Sequence, residues 1–277
     1  MQTPLSVEDL QPAAAHTSLG VYLRRIWERR SYLIHVPRNE LRNRNMHTVL
    51  GNAWNLLNPI LAITVYYLVF GLLLDTTRGV EYFIPFLAIG VFAFQYSTRC
   101  ATVGAKSLVT NRGLLRSINF PRAMLPLTST LTETLAFLPT IAVFFVVSIA
   151  VGVPFVWTWV LVFPLALLQM FFNVGMGMVF ARLNHGLRDI ENILPFLFRL
   201  LFYGSGVLFY VGAYIEDSQL RALFVANPLF CLLTLYRWAV LGMPVVWTEL
   251  ASLVVWTAVL VVGGLWWFRR AETSYGG

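Results

Sequence analysis

The chain reads as an all-α integral membrane protein, with six transmembrane helices, an N-terminal amphipathic helix at the interface, and a re-entrant outer hairpin between the fifth and sixth spans. Three observations predict this class. Of 277 residues, 58% are apolar and only 12% are charged, about half the charge of an average soluble chain. The apolar residues gather into runs near the ~20 needed to cross a bilayer. The basic residues gather on alternate sides of those runs. Together these exclude a secreted disulfide module, a disordered regulator and an ordinary soluble enzyme. The two cysteines, Cys100 and Cys231, form neither a disulfide framework nor a metal-ligand spacing, and no metal is expected.

Spans are expected at 56–74, 82–104, 123–150, 155–181, 193–212 and 250–268. A further apolar stretch, 220–247, is broken by Asn227-Pro228, Arg237 and Gly242-Met243-Pro244. Broken apolar segments at membrane depth form re-entrant elements buried in protein, so the hairpin is placed over 213–247, with a seventh span there as the alternative. Residues 1–18 read as a polar tail without the apolar core of a signal peptide, 19–55 as an interface region, 56–268 as the transmembrane domain and 269–277 as a second tail.

Arginine and lysine set orientation. Before the first span lie Arg24, Arg25, Arg29, Arg30, Arg38, Arg42 and Arg44. Lys106, Arg112, Arg116 and Arg122 follow span two, Arg182 and Arg188 follow span four, and Arg269 and Arg270 follow span six. The opposite loops hold Arg78, Arg221 and Arg237. Fifteen against three puts both termini in the cytoplasm, in an inner (plasma) membrane. The net charge of +7 thus belongs to one membrane face and does not call for nucleic acid. On this topology Cys100 and Cys231 lie toward opposite leaflets and cannot pair.

Residues 19–34 alternate Leu19, Tyr22, Leu23, Ile26, Trp27, Leu33 and Ile34 with Arg24, Arg25, Glu28 and Arg29. That is a basic amphipathic helix lying in the inner interface. Residues 106–121, KSLVTNRGLLRSINFP, carry Leu114, Leu115, Ile118 and Phe120 among four basic residues in or beside the segment. The pattern suits an amphipathic helix that docks in a groove of another protein, with a loop folded against its own bundle as the alternative. Residues 182–193 hold His185, Arg188, Asp189 and Glu191 ahead of Pro195. Arg99, Glu133 and Arg199 are the charges inside spans, where charge is costly and faces the bundle interior; Arg99 and Glu133 are expected to pair. One intramembrane carboxylate is too few for a proton relay. Tyr66, Tyr67, Phe198, Phe202 and Tyr203 sit deep enough to stack on a sugar ring, with core or lipid-facing packing as the simpler alternative. Trp157, Trp159, Trp247, Trp266 and Trp267 fall near span ends, as interfacial belts require.

Lys106 is the sole lysine, preceded by Ala105 and followed by Ser107, so no phosphate-binding Gly-Lys-Ser/Thr loop exists. No GxSxG, HExxH or CxxC is present either. No cofactor is expected in the chain, and any ATP-driven work needs ATP and Mg bound on another chain.

In order, the sequence presents Leu41-Arg42-Asn43-Arg44, Leu50-Gly51-Asn52-Ala53-Trp54 and Asn58-Pro59, then Asn111-Arg112-Gly113-Leu114-Leu115. Ile118-Asn119-Phe120-Pro121-Arg122 and Leu125-Pro126-Leu127 follow, then Arg188-Asp189-Ile190 before Leu194-Pro195, and Asn227-Pro228 with Tyr236-Arg237 and Gly242. Over about residues 20–270 this resembles the ABC-2 type exporter permeases, within them the polysaccharide branch of Wzm, capsule and teichoic-acid exporters. One departure is Phe209-Tyr210-Val211-Gly212, where relatives often carry a proline.

The resemblance implies that two copies form a pore above two separate ATPase subunits, among membrane lipids. It assigns ATPase coupling to Asn111, Arg112, Leu115, Ile118, Phe120 and Arg122, with Arg188 and Asp189 as a second contact. It makes Asn227, Pro228, Tyr236 and Arg237 part of an outer gate. The implied cargo is a polyprenyl-diphosphate-linked glycan, for which Arg24, Arg25, Arg29, Arg30, Arg42 and Arg44 supply cations at the interface. Arginine makes up all but one of the 20 basic residues; joined to the resemblance, this points to a galactan, with O-antigen-type glycans open. A drug or lipid exporter permease, and a membrane-embedded polyprenyl-phosphate transferase, are the rival functions.

Overall fold

A computed structural model describes residues 18–44, 51–74, 77–117, 120–215, 217–272 and 275. The polar tail before Ser18, the Leu50 end of one motif, and Ile118 and Asn119 lie outside the described residues. Those described are overwhelmingly helical, with no strand among them.

Ser18 caps α1 (Leu19–Glu28) by accepting from the Val21 N–H. The chain bends at Arg29 (φ −101°, ψ 22°) into α2 (Arg30–Asn43). The single interface helix expected over 19–34 is therefore two. Both keep exposed arginines, but α2 also packs against α6, where Tyr32 and Pro37 turn inward. Next come α3 (Trp54–Tyr66), which continues through widened turns over Tyr67–Leu73, and α4 (Phe83–Thr110). A short α5 (Arg112–Ser117) leads to α6 (Met124–Ala150). Tight turns at Trp157–Leu161 open α7 (Val162–Gly186), followed by α8 (Ile190–Gly204) and α9 (Val211–Tyr214). Then α10 (Ser218–Ala226) and α11 (Pro228–Leu241) meet at a bend of 93°. Finally α12 (Trp247–Ala258) runs through Val259–Gly263 into α13 (Gly264–Arg270).

Among the described residues, Met124–Ala150, Trp157–Gly186 and Trp247–Arg270 are long and apolar enough to cross a membrane, and the bent α10–α11 pair is a fourth candidate or a re-entrant loop. Leu57–Leu73 is apolar but shorter. Helix α4 has 28 residues, about 42 Å at 1.5 Å per residue, and is the most enclosed element. Its whole first half, Phe83 through Phe94, is buried except Ile84. The expected fifth span through residue 212 is not one helix: α8 stops at Gly204, and a turn with Gly206 at φ +60° leads to α9. Of Phe209-Tyr210-Val211-Gly212, singled out above, Phe209 and Tyr210 lie in that turn and Val211 and Gly212 open α9.

Around α4, helices α6, α7, α8 and α11 form the core. Small residues allow the closest crossings. A Cβ on Gly104 would lie 2.8 Å from the Gly177 Cα, and one on Gly175 would lie 2.4 Å from the Leu260 carbonyl carbon. Such contacts bind helices in lipid, where burial of apolar surface gives little drive. Outward faces carry exposed Leu61, Val65 and Leu68 on α3 and Val255, Val259 and Val262 on the last helix, as a lipid-solvated surface requires.

The buried polar groups in this core are specific ties. Gln169 donates to the Ala93 carbonyl (2.7 Å) and the Ser97 hydroxyl (3.0 Å), and accepts from the Tyr236 hydroxyl (2.9 Å). One amide thereby joins α4, α7 and α11. Arg237, expected in an outer loop, is instead buried inside α11. It donates to the carbonyls of Gly206 (2.8 Å) and Val207 (2.7 Å), and its guanidinium lies 3.4 Å from the Phe86 ring centre. A Cβ on Gly90 would come within 2.5 Å of that guanidinium. Arg237 survives in the apolar interior because the irregular turn after α8 offers it free carbonyls.

Candidate functional site

Three places gather the residues singled out from the sequence. The first is the basic end of the molecule, where α1, α5, the Phe120–Ala123 stretch and the tail after α13 converge. Leu115 is buried there in a second apolar cluster with Tyr22, Leu108, Ala123, Phe268 and Tyr275. Phe120 is half-buried, its ring 6.3 Å from Tyr32. Arg112 is exposed at the start of α5, while Asn111 turns back to donate to the Ser107 carbonyl (2.8 Å) and finish α4. Arg188 and Asp189 are exposed in the turn before α8.

Arg122, expected to face a partner, is occupied internally. Its backbone N–H donates to Glu272 Oε1 (2.8 Å), and its guanidinium donates to the Glu272 carbonyl. The same Glu272 oxygen accepts from the Tyr22 hydroxyl (3.1 Å), which itself accepts from the Ala123 N–H (3.2 Å). Burial, then the Glu272 charge, push the Tyr22 phenol well above its usual range, so it acts as a neutral hydrogen-bond relay. Arg269 stands 4.9 Å from the Tyr22 ring centre. Of the expected coupling residues, Arg112 lies on the outward surface of α5, beside exposed Gly113, and Leu115 is buried as its anchor. Glu272 and Tyr22 were not legible as a pair, because a tail carboxylate 250 residues from its phenol leaves no local pattern.

The second place is a seam of aromatics between α3, α4 and α8. Tyr66 lies 6.0 Å from Phe202, and Phe94 meets Phe202 (5.3 Å) and Phe198 (6.2 Å) edge-on. Tyr203 is 5.6 Å from Phe202 and exposed. The structure thus gathers Tyr66, Phe198, Phe202 and Tyr203, while Tyr67 packs beside them on the core. Phe198 is buried as core packing; Tyr203 is the member that offers an open face. Arg199, one residue along from Phe198, is exposed with its guanidinium 5.9 Å from the Phe196 ring.

The third place is a cleft of ≈ 320 Å³ between α3, α4, α6 and the end of α2. Arg44, Trp54, Asn58, Gln95, Arg99 and Glu133 contribute its polar and aromatic lining. The expected Arg99–Glu133 pair is replaced here: Glu133 Oε1 accepts from Arg44 at 2.7 Å, and Arg44 is also 4.0 Å from Glu40. The Glu133 hydrogen bond, followed by the two carboxylate charges, raises the Arg44 pKa against the opposing effect of burial. Arg44 is thereby drawn from the set of free interface cations. Glu40 reinforces the docking of α2 by accepting from Thr132 (3.2 Å). Arg99 stays exposed in the cleft, with no ion-pair partner among the described residues.

The other interface arginines spread over the outer side of α1 and α2. Arg24 pairs with Glu28 (3.0 Å), Arg30 stacks 5.6 Å from Trp27, and Arg25, Arg29 and Arg42 are exposed. Near the α10–α11 bend, Asn227 caps α11 by accepting from the Leu229 N–H (3.0 Å), and it donates to the Ser205 hydroxyl (2.9 Å). Pro228 occupies the first helical position, where its missing N–H costs nothing. Trp256 and Ser252 donate to the carbonyls of Ala226 and Val225, fixing the bend to α12. Tyr236 and Arg237, expected at a gate, are the buried ties already described. Cys100 and Cys231 are both free and buried.

The ABC-2 type transporter family matches residues 35–241. The chain belongs to that family. The match runs from α2 to the end of α11 and so takes in the aromatic seam, the Arg44–Glu133 cleft and α5. An O-antigen export system permease protein RfbA from Klebsiella pneumoniae is 28% identical over 244 residues, covering 88% of this chain and 93% of that protein. A protein of the same name from Myxococcus xanthus is 28% identical over 216 residues, covering 78% of this chain and 82% of its own length.

Proposed function

We propose that this ABC-2 family chain is the transmembrane subunit of an ATP-driven exporter that moves a polyprenyl-diphosphate-linked polysaccharide across the inner membrane. The observation that carries this reading is the likeness to O-antigen export permeases over most of the length of both proteins. In this reading α3, α4, α6, α7, α8 and α12–α13 are six spans, and α10–α11 is the re-entrant outer hairpin. The basic end faces the cytoplasm with both termini. Two copies line a path that includes Tyr66, Tyr203 and Phe202, and Arg24, Arg25, Arg29, Arg30 and Arg42 hold the diphosphate at the inner interface.

Energy enters from outside the chain, which has no phosphate-binding loop of its own. Two ATPase subunits binding ATP and Mg dock beneath the basic end. Arg112 and Gly113, outward on α5, meet them, and Leu115 carries the push into the apolar cluster behind. Arg188 and Asp189 form the second contact. A transferase would need His185, Asp189 and Glu191 gathered at one point; His185 instead packs edge-on against Tyr275 (4.9 Å).

Depleting the chain tests this. The expected result is accumulation of a lipid-linked glycan on the inner face, of galactan or O-antigen type, with a separate P-loop ATPase copurifying with the permease. Normal surface glycan after depletion, or purification without an ATPase, overturns the reading.

A further inference from the structure

We infer that the cleft between α2, α3, α4 and α6 is a binding site for a phosphate-bearing, hydroxyl-rich lipid headgroup. Two unmet requirements in its lining point to that chemistry. Glu133 is 2% exposed, and only one of its carboxylate oxygens is used, by Arg44; Oε2 is buried without a hydrogen-bond partner. A buried carboxylate oxygen left bare costs free energy that a donor would recover. A hydroxyl is such a donor, and a second anion is not. Arg99 has the opposite need. It lies inside the expected second span, where a cation is costly, yet it remains exposed to the cleft with no acidic partner among the described residues. A guanidinium fits phosphate oxygens with two parallel hydrogen bonds.

The rest of the lining agrees with a polar headgroup beside a ring or glycerol. Trp54 offers an indole face, and Asn58 and Gln95 offer amides that both donate and accept. At ≈ 320 Å³ the cleft sits at the low end of ligand cavities, roughly 300–1,000 Å³. It holds a headgroup and not a glycan chain. Ile60, Leu61 and Val65 on α3 are exposed, so the acyl or prenyl part stays in lipid along that helix. Two sources share this chemistry: a glycosyl diphosphate lipid, which rests on the function proposed above, and a hydroxyl-bearing phospholipid such as phosphatidylglycerol, which does not.

Titration of the full chain in phosphatidylcholine nanodiscs, read by native mass spectrometry, tests the site. The probes are phosphatidylglycerol and a farnesyl diphosphate carrying one sugar. The expected result is that Arg99→Gln weakens binding of at least one probe tenfold or more, while Arg199→Gln, an exposed arginine elsewhere on the bundle, leaves it unchanged. Trp54→Ala is expected to weaken the sugar-bearing probe further. Arg99-dependent binding of the glycosyl diphosphate alone assigns the site to the exporter's cargo. Arg99-dependent binding of phosphatidylglycerol alone assigns it to a resident phospholipid and keeps the inference independent of the cargo. Equal losses in Arg99→Gln and Arg199→Gln, or none in either, overturn the inference and leave the depletion test untouched.

Discussion

Arg44 and Glu133 meet at 2.7 Å although 89 residues separate them, and this ion pair fixes the end of the interface helix α2 to the middle of α6. It lies at the edge of the apolar core, with Glu133 enclosed and Arg44 about one-third exposed. Removing the arginine strands a buried carboxylate. Arg44→Gln is therefore expected to cost about 1–3 kcal/mol, read as a lowered melting temperature in detergent. Glu133→Gln is expected to cost less, because an amide still accepts from Arg44. The double variant is expected to recover part of the Arg44→Gln loss, a coupling that a cycle of the four proteins measures directly. Strict additivity would show that the contact contributes nothing.

That pair also marks where the sequence stops being informative. Span lengths follow from local hydropathy, so the cores of α6, α7 and α12–α13 could be placed from apolar runs alone. Pairing inside the membrane depends on which face each helix turns inward and on chains far away in sequence. Arg99 and Glu133 lie on neighbouring helices, yet the arginine that arrives comes from α2, which read as a surface anchor. Arg237 misled in a similar way. A charge in an apolar run reads as a break, and only the open carbonyls of Gly206 and Val207 make it compatible with a buried helix. Leu115 was legible as apolar, but not as an internal anchor; its neighbours Phe268 and Tyr275 belong to the opposite end of the chain.

Arg237 leads to the second prediction. Arg237→Met removes the donor for two or three buried carbonyls and is expected to loosen the turn between α8 and α9. Hydrogen exchange over 205–211 is expected to speed up at least tenfold, while α4 and α7 keep their protection. The loss corresponds to about 1–3 kcal/mol for buried acceptors left unmet. Unchanged exchange in that turn would mean that Arg237 does not hold it.

Close helix approach gives a third. Gly175→Ala places a methyl 2.4–2.7 Å from backbone atoms of Leu260 and Val261, where only a shift of the whole last helix relieves the clash. Overpacking of this kind costs about 1–3 kcal/mol. Gly263, whose added Cβ meets nothing within 4 Å, is the internal control. Gly263→Ala is expected to leave thermal stability unchanged or raise it, and equal effects at the two glycines would refute the close packing of α7 on the last helix.

Orientation can be tested with the native cysteines in place, because both are buried. With cysteine introduced at Thr77 or at Arg112, an impermeant thiol reagent on intact cells is expected to label position 77 and spare 112. The reverse result would invert the topology and with it the docking side of the ATPase.

The last prediction concerns Glu272. This carboxylate joins Tyr22 of α1, the backbone of Arg122 beyond α5, and the end of the last helix, so it ties three elements at the end where the ATPase is proposed to dock. Glu272→Gln keeps the shape of the side chain and one acceptor oxygen but removes its charge, whereas Tyr22→Phe removes the relay to Ala123. Neither side chain faces outward, so assembly with the ATPase is expected to persist in both. If the tie transmits force, each variant hydrolyses ATP at near its normal rate while export falls severalfold, and the double variant is no worse than the more damaged single. A parallel loss of assembly and hydrolysis would instead make Glu272 a folding residue, and normal export in Glu272→Gln would remove it from the coupling path altogether.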